Sequence, residues 1–275
     1  MIIGSISTIP GRVDSLIVIL DRLLNSTIYP DILLITVADY YPRMNKFYSS
    51  EEMVKLLSYI SSYKINTKIV YQDIDIGPIV KLKSGLDYLN KLYQEQSDGN
   101  KEIFNQNDVI IIIDDDSGLY EKTIELLSNS YKKYGDAIYG IMGKIGKEVY
   151  IHGEFVKEDY KNVDLLGGYR GVLYPVHLLT QKNNKNLSFI NWIDMFIKEH
   201  KKKNLVAMHD DDIFYYWAKY NNYERRVVKV ECNIPNTIFY NPITNTNGIF
   251  NDENCNSSLQ LIENILKDNK LEYLI

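Results

Sequence analysis

Asp108-Val109-Ile110-Ile111-Ile112-Ile113-Asp114-Asp115-Asp116 decides the fold. Five β-branched apolar residues run unbroken into three carboxylates. An alternating pattern would cover one face of a strand. A continuous run is buried on both faces, as in the central strand of a parallel sheet covered by helices. Such sheets bind ligands outside their carboxyl edge, and this strand delivers its aspartates there. Three adjacent carboxylates repel one another and raise each other's pKa values. A hard divalent cation, which takes oxygen ligands, turns that cost into binding. Asp114 and Asp116 are the expected metal ligands, and a diphosphate held by the metal would complete the site. The alternative is a solvated turn in which one aspartate caps the following helix.

Upstream, strands and helices alternate. Ile2 to Ser7 reads as a strand and Thr8-Ile9-Pro10-Gly11-Arg12 as a turn at its end. Val13, Leu16, Ile17, Leu20, Leu23 and Leu24 then recur at helical spacing. Arg12 stands where a cation meets a base or phosphate, or is a surface charge. Ile32 to Ala38 is the second strand, and Asp39 at its end offers acceptors to a base edge or ribose, or belongs to an ordinary polar loop. Ser49 and Glu52 form a capping-box pattern. Thr67 to Tyr71 is the third strand. Gly77 permits close backbone approach and Pro78 suits a first helical turn. Lys81 follows in that turn, where the helix dipole disfavours a cation unless an anion also binds; the other reading is solvation beside Lys83. Glu95 to Asn107 reads as a surface loop.

Downstream, Leu119 to Tyr134 is an expected helix and Ala137 to Met142 a strand. Val149 to Phe155 and Val163 to Val176 look like strands, the second interrupted by Gly167-Gly168-Tyr169-Arg170-Gly171. That bend places a cation among glycines whose backbone must pass close to something, unless it is a simple bulge or hairpin. Asn183 to Asn186 is a polar loop and Phe189 to His200 a helix. A second acidic cluster, Asp210-Asp211-Asp212, opens a helix carrying Ile213, Tyr216, Trp217 and Tyr220. One aspartate suffices to cap a helix. Two clusters suggest divided work, one holding a metal and the other taking a proton. Trp192 and Trp217 read as core residues, with sugar stacking as the alternative.

Composition bounds the rest. A chain of 275 residues, 45% hydrophobic and 24% charged, can bury a large α/β core. A net charge of −5 argues against a general nucleic-acid binder. The 23 tyrosines, with abundant Ile, Asn and Lys, fit an AT-rich genome, viral or bacterial. Cys232 and Cys255 lack metal spacing and fit a reducing compartment. No apolar run approaches transmembrane length, and no leader pattern precedes the first strand, so a cytoplasmic protein is expected (host cytoplasm if viral).

Taken in order, Thr8 to Arg12, Asp75-Ile76-Gly77-Pro78-Ile79-Val80-Lys81-Leu82, Asp114 to Asp116, Gly167 to Gly171 and Asp211-Asp212-Ile213-Phe214 resemble a glycosyltransferase of the GT-A fold, family 2-like. The resemblance spans roughly residues 2 to 230. It implies a mostly parallel central sheet flanked by helices. It also implies a nucleotide-diphospho-sugar donor, UDP-linked by the habit of such folds, Mn2+ or Mg2+ on Asp114 and Asp116, and a base in the second cluster. Members with a base there usually invert the anomeric centre. Thr8, Pro10, Arg12, Asp39, Gly77, Pro78, Lys81, Asp114, Asp115 and Arg170 are the expected donor contacts. Asp212, directly before Ile213-Phe214, is the expected base, with Asp211 second. The triple aspartate leaves that register open. Residues 1–232 form the expected domain, with a donor half at 1–143 and an acceptor half at 144–232. The tail at 233–275 is unmatched. The acceptor is a glycan, protein or small-molecule hydroxyl, and a homo-oligomer is compatible. A nucleotidyltransferase and an inactive sugar-nucleotide-binding protein are the rival readings.

Overall fold

The computed structural model describes residues 1–96, 105–116, 118–146, 149–180, 187–203, 210–231 and 252–271. The expected loops near 97–104 and 181–186, and Cys232, lie outside them. The chain opens with β1 (Ile2–Ser7), α1 (Val13–Leu24), β2 (Ile32–Tyr41), β3 (Lys46–Phe47), α2 (Ser50–Ser61), β4 (Thr67–Ile74) and α3 (Val80–Gln96). It continues through β5 (Val109–Asp114), α4 (Thr123–Tyr134), β6 (Ile138–Gly140), β7 (Met142–Ile145), β8 (Val149–His152), β9 (Tyr160–Asn162), β10 (Leu165–Leu166) and β11 (Val172–Pro175). Helices α5 (Val176–Thr180), α6 (Phe189–Lys203) and α7 (Asp210–Asn221), strand β12 (Arg225–Val228) and helix α8 (Asp252–Asp268) complete it.

β1 lies between β2 and β5, parallel to both, and β4 extends the parallel set beyond β2. The chain therefore winds outward from β1 through β2 to β4, then returns to β5 on the other side. That reversal is a topological switch point, and Ser7 sits opposite Asp114 at its carboxyl edge. β11 runs antiparallel between β5 and β6. The second half of the chain is thus woven into the central sheet. β7, β8 and β10 form a small separate antiparallel sheet.

The continuous apolar run is explained by burial on both faces. Ile110 and Ile112 belong to the core under α3, α6, α7 and α8. Val109, Ile111 and Ile113 belong to the opposite core, under α1, α2 and α4. All five are at most 2% exposed. Trp192 and Trp217 are buried with Phe189 and Phe214 in the first of these cores. α8 contributes Leu261, Ile262, Ile265 and Leu266 to the same core, so part of the unmatched tail packs on the expected domain. The expected boundary between residues 143 and 144 falls inside β7.

Several boundaries differ from expectation for local reasons. α4 begins at Thr123 rather than Leu119, and Leu119 and Tyr120 are buried ahead of it. The strand expected over Val163 to Val176 is cut into β10 and β11 by a 3-10 turn at Gly168–Arg170. Gly171 closes that turn at φ +98, a left-handed conformation that suits glycine. Ala137 to Met142 splits at Ile141 into β6 and β7, so one segment serves two sheets. The Ser49–Glu52 capping box forms as expected. Glu52 Oε1 also accepts the Gly11 N–H at 2.5 Å, tying α2 to the turn after β1.

Candidate active site

β5 ends by delivering Asp114, Asp115 and Asp116 to the carboxyl edge, and two cations meet them there. Lys81, in the first turn of α3, hydrogen-bonds Asp114 Oδ1 through its Nζ. The lysine side chain is 4% exposed and the aspartate 25%. Lys81 is placed by its backbone: Ser5 Oγ on β1 donates to Lys81 O at 2.6 Å. Arg12 Nη1 lies 3.0 Å from Asp115 Oδ1 and 2.7 Å from Asp116 Oδ2. A lysine disfavoured by the helix dipole is thus compensated by the strand-end carboxylates. The buried lysine and the largely buried arginine both have the anionic partners that such cations need.

Asp115 occupies a different environment from its neighbours. It is buried, and burial pushes its carboxyl up to about 6. Arg12 opposes that rise most strongly, Asp116 adds to it, nearby Thr8 opposes it and Asp114 adds slightly. Asp115 Oδ2, Thr8 Oγ1 and Tyr48 Oη are all buried without a geometrically complete hydrogen bond. Thr8 and Tyr48 are close enough to influence each other, and the Tyr48 hydroxyl is held firmly protonated by burial and by Tyr41.

A small cleft of about 10 Å3, room for about one water, lies at the carboxyl ends of β1, β2 and β4, lined by Thr8, Thr36, Tyr41, Gln72 and Asp75 among others. Tyr41 staples its floor, donating to Thr8 O at 2.9 Å and accepting the Ala38 N–H at 2.8 Å. The Gly77 N–H donates to Asp75 Oδ1 at 3.0 Å, shaping the turn into α3. Gly77, at φ +83, and Pro78 supply that turn. Pro10 is buried in the turn after β1. Asp39 is exposed within β2, which runs on to Tyr41, and Asp39 does not line the cleft. Asp75, Thr36 and Gln72 were not singled out by sequence as site residues. The position of Asp75 at a strand end before a Gly-Pro turn was the available signal.

The second acidic cluster approaches the same edge. β11 pairs with β5 through Val172 opposite Ile112. Continued antiparallel, that register runs from Gly171 and Arg170 toward Ile113 and Asp114, and the Gly168–Arg170 turn packs against β5. The Gly168 N–H donates to Asp211 Oδ1 at 3.0 Å. A β-carbon on Gly168 would stand 3.1 Å from that oxygen, so the glycine admits the carboxylate. The charge of Asp212 acts on Tyr216, one turn along α7, which is more strongly under the influence of Glu263 on α8.

Arg170 is buried, with Nη1 3.1 Å from Glu154 Oε1. Burial and Arg170 push the pKa of His152, on β8, below its ordinary value. His152 sits opposite Met142, whose carbonyl accepts the Gly167 N–H, so β8 borders the glycine bend. Nothing in the local sequence flagged Glu154, which is brought to Arg170 only by the small sheet. Phe155 beside it is 79% exposed.

The metal test rests on donor chemistry. Among the described residues no three His, Cys, Asp or Glu side chains converge as a cation cage. Asp114 and Asp116 are partly exposed carboxylates at one strand end. They fit Mn2+ or Mg2+ of the kind that takes one or two protein carboxylates and fills its shell from substrate phosphates and water.

This architecture is the GT-A fold. No family model matches the sequence, and no curated protein matches it. Among solved structures, S. aureus TarS matches 97% of this chain at a TM-score of 0.50 and 13% identity, and this chain covers 43% of that one. TarS 1–349 in complex with UDP-GlcNAc matches 100% of this chain at 0.45 and 12% identity, with 84% of that chain covered. Mannosyltransferase PcManGT from Pyrobaculum calidifontis, in complex with GDP-Man and Mn2+, matches 83% of this chain at 0.46 and 10% identity, with 54% of that chain covered. The likeness to TarS, at 13% identity, is one of fold, and this chain spans under half the length of TarS.

Proposed function

We propose that the protein transfers a sugar from a nucleotide-diphospho-sugar to an acceptor hydroxyl, with inversion. The observation that carries this reading is the convergence of two acidic sets on one sheet edge. Asp114 to Asp116 end β5, and Asp211 is fastened to the glycine bend that packs on β5.

The nucleoside would lie over the carboxyl ends of β1, β2 and β4, where Thr8, Tyr41 and Asp75 line a small cleft. The diphosphate would lie over Asp114 and Asp116, where a bound Mn2+ or Mg2+ supplies Lewis-acid neutralisation of the leaving group. Lys81 and Arg12 keep those carboxylates paired and in place. Asp211 would act as general base, taking the acceptor proton as its oxygen attacks the anomeric carbon. The Gly168 N–H fixes the direction of the carboxylate. Geometry therefore ranks Asp211 ahead of Asp212, the reverse of the order read from sequence. A base at this place and a single displacement give inversion. A uridine nucleotide and a hexose are the expectations of the family resemblance.

A thermal-shift screen of nucleotide sugars with and without Mn2+ tests the reading. A stabilisation that requires a nucleotide-diphospho-sugar and grows with Mn2+ supports it. No response to any nucleotide sugar in either condition refutes it.

A further inference from the structure

Asp114, Asp115 and Asp116 carry three negative charges when ionised, and Lys81 and Arg12 carry two positive ones in direct contact with them. These five groups therefore leave one negative charge. The charges that act on buried Asp115 come from the same set: Arg12, Asp116 and Asp114. Neither cation can readily withdraw. Lys81 is buried at 3% exposure, with its backbone carbonyl bonded to Ser5, and the Arg12 side chain is only 16% exposed. A buried charge without a partner is costly, so each stays with a carboxylate or exchanges it for another anion.

We propose that Lys81 and Arg12 act as built-in counter-cations that make divalent metal and diphosphate bind as a unit. The inference rests on the reading above, since it concerns the same site. With two cations in contact, the three carboxylates attract a dication less strongly than they would alone, and they repel a lone diphosphate. The two ligands together are charge-compatible, and an incoming phosphate oxygen can also engage the Lys81 ammonium or the Arg12 guanidinium. The device would prevent Asp114 and Asp116 from capturing metal without donor. The residues responsible are the two cations, and their removal should therefore strengthen metal binding in the absence of nucleotide.

The test measures Mn2+ binding directly, from loss of the free-ion paramagnetic resonance signal, on metal-free protein without nucleotide. Lys81→Met and Arg12→Gln are compared with the parent, with folding checked by circular dichroism. Each variant leaves the cluster more negative by one unit, and Mn2+ affinity should rise about tenfold for a dication a few ångströms away in water. Calorimetry then measures UDP affinity with and without Mn2+; the coupling should be strong in the parent and diminished in both variants. Unchanged or weaker Mn2+ binding in both folded variants overturns the inference, as does parent Mn2+ affinity left unaltered by a nucleoside diphosphate that binds. Failure of every nucleoside diphosphate to bind would instead refute the proposed function. The nucleotide-free comparison would still decide the counter-cation role.

Discussion

Asp211 Oδ1 accepts the backbone N–H of Gly168 at 3.0 Å, joining two segments that are 43 positions apart in the chain. One is a glycine bend next to the central strand, and the other is the first turn of α7. The contact brings the second acidic cluster to the edge where the first one ends. A side chain at position 168 would intrude on it.

Gly168→Ala places a methyl carbon 3.1 Å from the Asp211 carboxylate, so the carboxylate must shift. Donor binding should persist, because the β5 aspartates are untouched. Turnover should fall by about tenfold or more, since small displacements of a catalytic group are costly. Steady-state kinetics with separate donor-affinity measurement checks the split.

Asp116→Ala removes a carboxylate held 2.7 Å from Arg12. The manganese-dependent part of donor binding should vanish while the fold survives. Calorimetric titration of UDP with and without Mn2+ would expose the error if the variant kept the parent's metal response.

Asp115 gives a pH signature in metal-free protein. Its carboxyl is raised from 3.8 to about 6, chiefly by burial. The folded state then binds the proton more tightly than the unfolded chain. Stability must therefore fall as pH rises from about 4 to about 6, and the penalty is fully expressed above that window. Asp115→Asn should abolish this slope and raise stability at neutral pH by roughly 1–3 kcal/mol. Urea unfolding across that range, for parent and variant, measures it; parallel profiles would contradict the assignment.

Tyr41→Phe strips a hydroxyl that bonds Thr8 O and the Ala38 N–H inside the cleft floor. Leaving buried partners unmatched should cost about 1–3 kcal/mol and loosen the nucleotide side of the cleft. Chemical denaturation gives the first effect and UDP affinity the second.

The sheet was legible because its central strand announces itself. Five consecutive β-branched residues have no other economical explanation than burial on both faces, and the helices on either side supply that burial. The capping box and the strand-end aspartates are equally local signals. What sequence could not show is how partners meet across long separations. Lys81 and Arg12 read as donor-facing cations, and the fold also pairs them with Asp114, Asp115 and Asp116. Glu154 reaches Arg170 only through the pairing of β7 with β8 and β10. Nor could position before an apolar helix residue show that Asp211 meets the glycine bend.

The most direct test of the account is product analysis with Mn2+, an active nucleotide-diphospho-sugar and its acceptor, comparing the parent with Asp211→Asn and Asp212→Asn. The account predicts a glycosylated acceptor and free nucleoside diphosphate from the parent. It predicts a fall of roughly 10²–10⁴-fold for Asp211→Asn with donor affinity kept, and a much smaller loss for Asp212→Asn. Release of pyrophosphate instead of nucleoside diphosphate, or normal turnover by Asp211→Asn, would contradict it.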